Sequence, residues 1–87
     1  MVSQTTKITN EMGFHMRPAN VFVTAMAKYT SNINIIVNNK KINGKSIMNI
    51  MASCIKYGTE ITVECDGPDE KEMLSEAIDM IESGFGE

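Results

Sequence analysis

The chain contains one histidine and one arginine, and the stretch "GFHMRPAN" brings them together as His15 and Arg17, with Pro18, one of only two prolines, directly behind them. Any chemistry that needs an imidazole must use His15. Its nitrogen is nucleophilic at neutral pH and can hold a phosphoryl group covalently. Arg17 adds a permanently charged planar fork able to take phosphate oxygens two at a time. Pro18 fits a helix only in its first turn. The apolar series Ala19, Phe22, Met26 and Tyr29, broadened by Val21, Ala25 and Ala27, therefore predicts an amphipathic helix over 16–28 that begins at His15. A helix start presents N–H groups that lack acceptors and about half a positive charge, and both favour a bound anion. The cluster reads as a phosphohistidine site. The plainer alternative is a surface histidine capping a helix beside a solvated arginine.

The elements that must carry this site alternate along the chain. Residues 2–8 predict a strand with Val2, Thr6 and Ile8 on one face. Ile33, Ile35 and Val37 alternate in a second strand, and Asn38-Asn39 suits the positive φ values of a tight hairpin before a third over 40–42. In "NGKSIMNIMASCIKYG", Ser46 is a natural N-cap for a short helix bearing Ile47, Met48, Ile50 and Met51, with a stop near Gly58. "TEITVEC" predicts a strand with Ile61, Val63 and Cys65 inward. The last helix opens at Asp69, with Glu72 as the second half of a capping box. It buries Met73, Leu74, Ala77, Ile78 and Ile81, and closes at Gly84. The order β-α-β-β-α-β-α implies an α+β fold, a single 1–87 domain with one antiparallel sheet covered on one face by helices. Pattern alone leaves the strand order open, and a split βαβ arrangement of the ferredoxin type also fits the first six elements.

Composition excludes several classes. Apolar residues make up 43% and aromatic residues 6% of the chain, with no tryptophan, so the core must be mostly Ile, Val, Met and Ala. Cys54 and Cys65 lack CxxC spacing and a second histidine, so neither a zinc site nor any other metal or cofactor is expected, and both read as free thiols. The N-terminal stretch lacks the apolar core of a signal peptide and no apolar run is long enough to cross a bilayer, which points to the cytoplasm rather than membrane insertion. Seven basic residues lie before Glu60 against one acid, Glu11, whereas ten acids follow against Lys71 alone. That division implies a dipolar surface whose basic side suits phosphate or acidic partners. Direct nucleic-acid binding is disfavoured, because aromatic residues do not interleave with the basic ones.

With its histidine, arginine and proline in this spacing, "GFHMRPAN" resembles the active-site motif of HPr, the histidine-containing phosphocarrier family of the sugar phosphotransferase system. "NGKSIMNIMASCIKYG" resembles that family's second signature, and the "GTEI", "DGPDE" and "SGFGE" stretches extend the likeness over nearly the whole chain. The resemblance implies an open-faced β-sandwich, three helices over a four-stranded antiparallel sheet in order 1-4-2-3. It implies that His15 takes a phosphoryl group at Nδ1 from phosphorylated enzyme I and passes it to enzyme IIA domains, with Arg17 stabilising the transferred charge. The protein would then be a carrier, a substrate of other enzymes rather than an enzyme itself. In Gram-positive relatives the serine matching Ser46 is phosphorylated by HPr kinase/phosphorylase, which implies carbon catabolite repression and a catabolite control protein as a further partner.

A carrier serving several partners needs an adaptable surface, and methionine suits one. Phe14, Met16, Ile47, Met48 and Met51 are the expected docking patch around His15, on a chain expected to be a monomer. Met16 stands where the family usually has alanine, and Asn20 where threonine or alanine is common; both would flank the site. Asn49 and Cys54 occupy positions often held by glycine, and Cys54 is expected to pack as an inert thiol. Two other readings compete. One is a purely regulatory module using only Ser46, against which His15 argues. The other is a ferredoxin-like ligand-binding or RNA-binding domain, disfavoured by the missing sheet aromatics.

Overall fold

The computed structural model describes residues 1–86. Four strands, β1 (Val2–Lys7), β2 (Asn32–Val37), β3 (Lys40–Asn43) and β4 (Glu60–Asp66), form one sheet in the order β1-β4-β2-β3, and all neighbours are antiparallel. β4 thus fills the gap between β1 and β2, which decides between the two arrangements the pattern left open. In the registers Val2↔Cys65, Ile35↔Val63, Ile33↔Cys65 and Ile35↔Ile42, the apolar residues of all four strands meet on one face. Asn38 and Asn39 adopt φ of 51° and 65°, the left-handed pair that a two-residue hairpin demands and that asparagine tolerates.

The helices α1 (Met16–Met26), α2 (Ile47–Ala52) and α3 (Glu70–Glu82) cover that face, and a single 3₁₀ turn (Gly84–Gly86) follows α3. α3 lies on β1 and β4, while α1 packs against α2, α3 and the 3₁₀ turn. The core they enclose includes Ile8, Phe22, Met26, Ile33, Ile35, Ile50, Ile61, Val63, Met73 and Ile81. Burial pushes the Cys65 thiol up to about 11, so this cysteine acts as an apolar core residue. Among the described residues no helix is long and apolar enough to cross a membrane.

Three sequence expectations need correction. First, α1 ends at Met26 rather than Lys28, and Val21 and Ala27 lie on its exposed side. Second, α2 stops at Ala52, six residues before Gly58. Cys54 takes the left-handed conformation (φ 52°) that ends a helix, with its N–H donating to Met51 O at 3.3 Å. Gly58 instead turns the chain into β4, its N–H donating to Ile8 O at 2.9 Å. Third, Asp69 and Glu72 form no capping box. Asp69 occupies the N-cap position, but its carboxylate accepts the N–H groups of Thr30 (3.0 Å) and Ser31 (2.9 Å) together with the Ser31 hydroxyl. Those donors belong to the loop after α1, where they have no other acceptor in the helix. The Ser31 hydroxyl first, then the backbone donors, hold the Asp69 carboxyl well down, at about 2. Gly67 lets this loop approach: a Cβ there would sit 2.5 Å from Ser31 Oγ and 2.7 Å from its Cα.

The basic and acidic halves of the chain meet at two surface ion pairs. Lys28 meets Glu76 at 2.7 Å and Lys41 meets Glu64 at 3.2 Å, so sheet and helix packing bring part of the basic half onto the acidic half. Tyr29 donates its hydroxyl to Glu76 at 2.6 Å, and this bond raises the phenol to about 12.

Candidate functional site

His15 is the N-cap of α1, with extended backbone angles (φ −88°, ψ −170°). Met16, Arg17 and Pro18 form the first turn, so the first N–H within the helix ladder is that of Ala19, which donates to His15 O at 2.9 Å. Helix geometry leaves the N–H groups of Met16 and Arg17 without intrahelical acceptors, and Pro18 has no N–H to satisfy. The buried ring of Pro18 and the buried Ala19 anchor this turn on the core. The donors therefore stay where an anion on His15 would meet them.

The loop before His15 is held from three sides. Asn10 closes it, its side-chain amide donating to Gly13 O at 2.6 Å, while the Gly13 N–H donates to Asn10 O at 3.0 Å. Gly13 has φ 72° and presses against the backbone of residues 55–57; a Cβ there would lie 2.7 Å from Ile55 O and 2.9 Å from Lys56 Cα. The next N–H, of Phe14, donates to Ile55 O at 2.9 Å. The Phe14 ring then turns inward. It meets Phe85 at a centroid distance of 4.7 Å and Phe22 edge-on at 5.4 Å, so all three phenylalanines of the chain form one cluster beneath the site.

Phe14 was expected in the docking patch, and this is corrected: at 2% exposure it cannot contact a partner, because the cluster with Phe22 and Phe85 consumes its ring. The other patch residues remain reachable. Met16 is 59% and Met48 82% exposed, Asn20 is exposed one turn along α1 from Met16, and Ile47 and Met51 are half-buried against the core. Cys54, expected to be packed, is exposed, since its left-handed backbone carries it past the end of α2.

His15 is half-buried, with Nε2 shielded from solvent. It borders two depressions. The larger, about 570 Å³, is lined by Thr9, Asn10, Glu11, Met12, His15 and Arg17. The smaller, about 220 Å³, joins His15 and Met12 to Met51, Cys54 and Lys56. The structure thus brings His15, Arg17 and Met51 together, while Ser46 stands apart at the start of α2. Ser46 Oγ accepts the Asn49 N–H at 3.2 Å, the N-cap bond expected of it. Asn10, Met12 and Phe85 escaped the sequence reading; only the "SGFGE" likeness touched one of them. Among the described residues no group of three His, Cys, Asp or Glu is placed to hold a metal.

A half-buried imidazole at a helix start, sharing a cleft with an arginine, suits a phosphohistidine carrier, and comparison with known proteins agrees. Residues 2–83 match the family described as "PTS HPr component phosphorylation site". The chain belongs to the HPr family. It is a phosphocarrier of the phosphotransferase system, a carrier rather than a catalyst. The phosphocarrier protein HPr of Mycoplasma capricolum is 51% identical over 67 residues, 77% of this chain and 75% of the relative. The crystal structure of HPr from Thermoanaerobacter tengcongensis matches with a TM-score of 0.96 at 41% identity, covering 100% of this chain and 98% of that one. The Bacillus subtilis protein Crh, described as a domain-swapped dimer, matches at 33% identity and a TM-score of 0.78 over 97% of both chains.

Proposed function

We propose that His15 accepts a phosphoryl group from phosphorylated enzyme I and donates it to enzyme IIA domains. The observation that carries this reading is the placement of His15 and Arg17 on one open cleft at the start of α1, and the family resemblance assigns the attack to Nδ1. In the transfer, the lone pair of Nδ1 forms a bond to phosphorus while the N–P bond of the enzyme I phosphohistidine breaks and its electron pair stays on that ring. The second transfer repeats this toward the IIA histidine. Arg17 and the N–H groups at the start of α1 lower the energy of the charge spread over the three transferring oxygens. No cofactor takes part in either step. The working location is the cytoplasm and the working unit a monomer.

Met16, Asn20, Ile47, Met48 and Met51 serve as the docking surface. Ser46 is a regulatory site for HPr kinase/phosphorylase, and its phosphorylated form both weakens docking of enzyme I and creates a face for a catabolite control protein. Support comes from its place as the half-buried N-cap of α2, where phosphate is electrostatically tolerated.

The test is incubation with phosphoenolpyruvate, Mg²⁺ and enzyme I of proven activity, followed by mass analysis at neutral pH and after acid. One acid-labile phosphate is expected on the wild type and none on His15→Ala. Absence of label on the wild type refutes the carrier reading. For Ser46, acid-stable labelling by HPr kinase/phosphorylase is expected, followed by slower transfer from enzyme I; transfer at the unphosphorylated rate refutes the inhibitory role.

A further inference from the structure

Eight methionines in 87 residues range from fully buried, through half-buried Met51 and Met80, to exposed. Met26 and Met73 are fully buried, whereas Met12 is 74%, Met16 59% and Met48 82% exposed. Two of these exposed thioethers flank His15. Met12 lines both depressions that His15 borders, and Met16 follows His15 directly in the first turn of α1. We propose that Met12 and Met16 are sites of reversible oxidation by hydroperoxides, and that their sulfoxides switch off phosphoryl transfer at His15.

The chemistry balances without any group on the protein other than the thioether. The sulfur lone pair attacks the terminal peroxide oxygen, the O–O bond breaks as the S–O bond forms, and the second oxygen leaves with the proton given up by the new S–OH group, as water from hydrogen peroxide or as an alcohol from an organic hydroperoxide. Sulfur is oxidised by two electrons and the peroxide is reduced by two. Methionine sulfoxide reductases reverse the change with electrons from a dithiol. Exposure sets the order of reaction, so Met12 and Met16 react while Met26 and Met73 stay reduced.

The consequence follows from what a docked partner must cover. A thioether can be buried against an apolar surface at little cost, because its sulfur is a weak acceptor. A sulfoxide oxygen is a strong acceptor that loses water on docking and finds no donor on a surface shaped for methionine. Met12 and Met16 are both exposed and outside the core, so the fold persists while docking weakens.

This inference rests on the transfer from enzyme I proposed above, and the experiment separates the two. The protein is treated with hydrogen peroxide and then with dithiothreitol, which returns oxidised Cys54 to the thiol but leaves sulfoxides. Peptide mass mapping locates the oxygen, and the rate of labelling by enzyme I and phosphoenolpyruvate is measured before and after. Sulfoxide at Met12 and Met16 ahead of Met26 and Met73 is expected, with labelling slowed at least tenfold and restored by the two methionine sulfoxide reductases. The Met12→Leu/Met16→Leu variant, compared with its own untreated rate, should be slowed less than twofold by peroxide. Unchanged labelling of the oxidised wild type overturns the inference alone. So does an equal loss in the double variant, which assigns the effect to the other exposed methionines, Met1 and Met48. Failure to label untreated protein overturns the carrier reading and the inference with it.

Discussion

Gly13 offers the most direct test of how the fold holds its histidine. Replacing it by alanine adds one methyl group to a residue with φ 72°, at a place where a Cβ would lie 2.7 Å from Ile55 O, 2.9 Å from Lys56 Cα and 3.1 Å from Tyr57 N. A left-handed conformation costs an L residue about 1 kcal/mol relative to glycine. The overlap is with backbone, which cannot rotate away, so residues 13 and 55–57 must separate by several tenths of an ångström. That strains the Phe14 N–H to Ile55 O bond of 2.9 Å and adds about 1–3 kcal/mol. The total is about 2–4 kcal/mol, or a fall in Tm of roughly 10–25 °C for a chain of this size.

Gly58 supplies the control within the same molecule. Its φ of 81° is equally left-handed, yet a Cβ there meets nothing within 4 Å. Gly58→Ala should lose only the conformational part, about 1 kcal/mol. Urea denaturation followed by circular dichroism compares the two through their midpoints, with equal m values confirming that stability alone has changed. A Gly13→Ala loss no larger than that of Gly58→Ala would show that contact between the His15 loop and residues 55–57 does not constrain the loop. Where the variant remains folded at low temperature, labelling by enzyme I should also be slower, because Phe14 and His15 move with the displaced backbone.

Three further outcomes follow from the same geometry. The Asp69 carboxyl, held at about 2, binds its proton more weakly folded than unfolded; its stabilising effect is therefore complete above about pH 4 and disappears as pH falls through 2. Asp69→Asn should accordingly be less stable than wild type at pH 7 and indistinguishable from it near pH 1.5; a gap that persists at that pH would contradict this account. Ser46→Ala removes one long cap bond of 3.2 Å and should cost about 0.5–1 kcal/mol by urea denaturation, with a larger loss indicating a role beyond the cap. Arg17→Ala should slow labelling of His15 at least tenfold while shifting stability by less than about 0.5 kcal/mol, since the side chain is exposed; parallel losses would make Arg17 structural.

Much of this architecture was legible because local rules and tertiary packing agree. The alternation of Ile33, Ile35 and Val37, and of Ile61, Val63 and Cys65, survives intact as the inner face of the sheet. Pro18 placed the start of α1, because its missing N–H allows no other position in the helix. What escaped the sequence reading depends on contacts between distant segments. The Asp69 carboxylate looked like a local cap, but three donors of the 30–31 loop outcompete the start of its own helix. Phe14 lies outside the helical period, so nothing local marked it as buried; its partner Phe85 is 71 positions away. Cys54 ends α2 in a conformation usually reserved for glycine, and a signal built on glycine passed over it to Gly58.

These long-range contacts also bear on how a phosphate on Ser46 would reach His15. One route is mechanical: α2 begins after Ser46, and Ile55, three residues past its end, accepts the N–H of Phe14. The other is charge on the docking surface. The mechanical route requires α2 to shift, yet Ile50 is fully buried and its N–H donates to the Ser46 carbonyl at 3.1 Å, a bond that phosphorylation of the hydroxyl leaves in place. Phosphate at a helix start is, moreover, favourably placed against the dipole. With α2 anchored by its core and its ladder, the path through Ile55 would stay at rest. On the proposed regulation, the nearly doubly negative group beside Lys45 and the exposed Met48 would be what an approaching partner meets, and its effect on His15 would travel by charge rather than by shape.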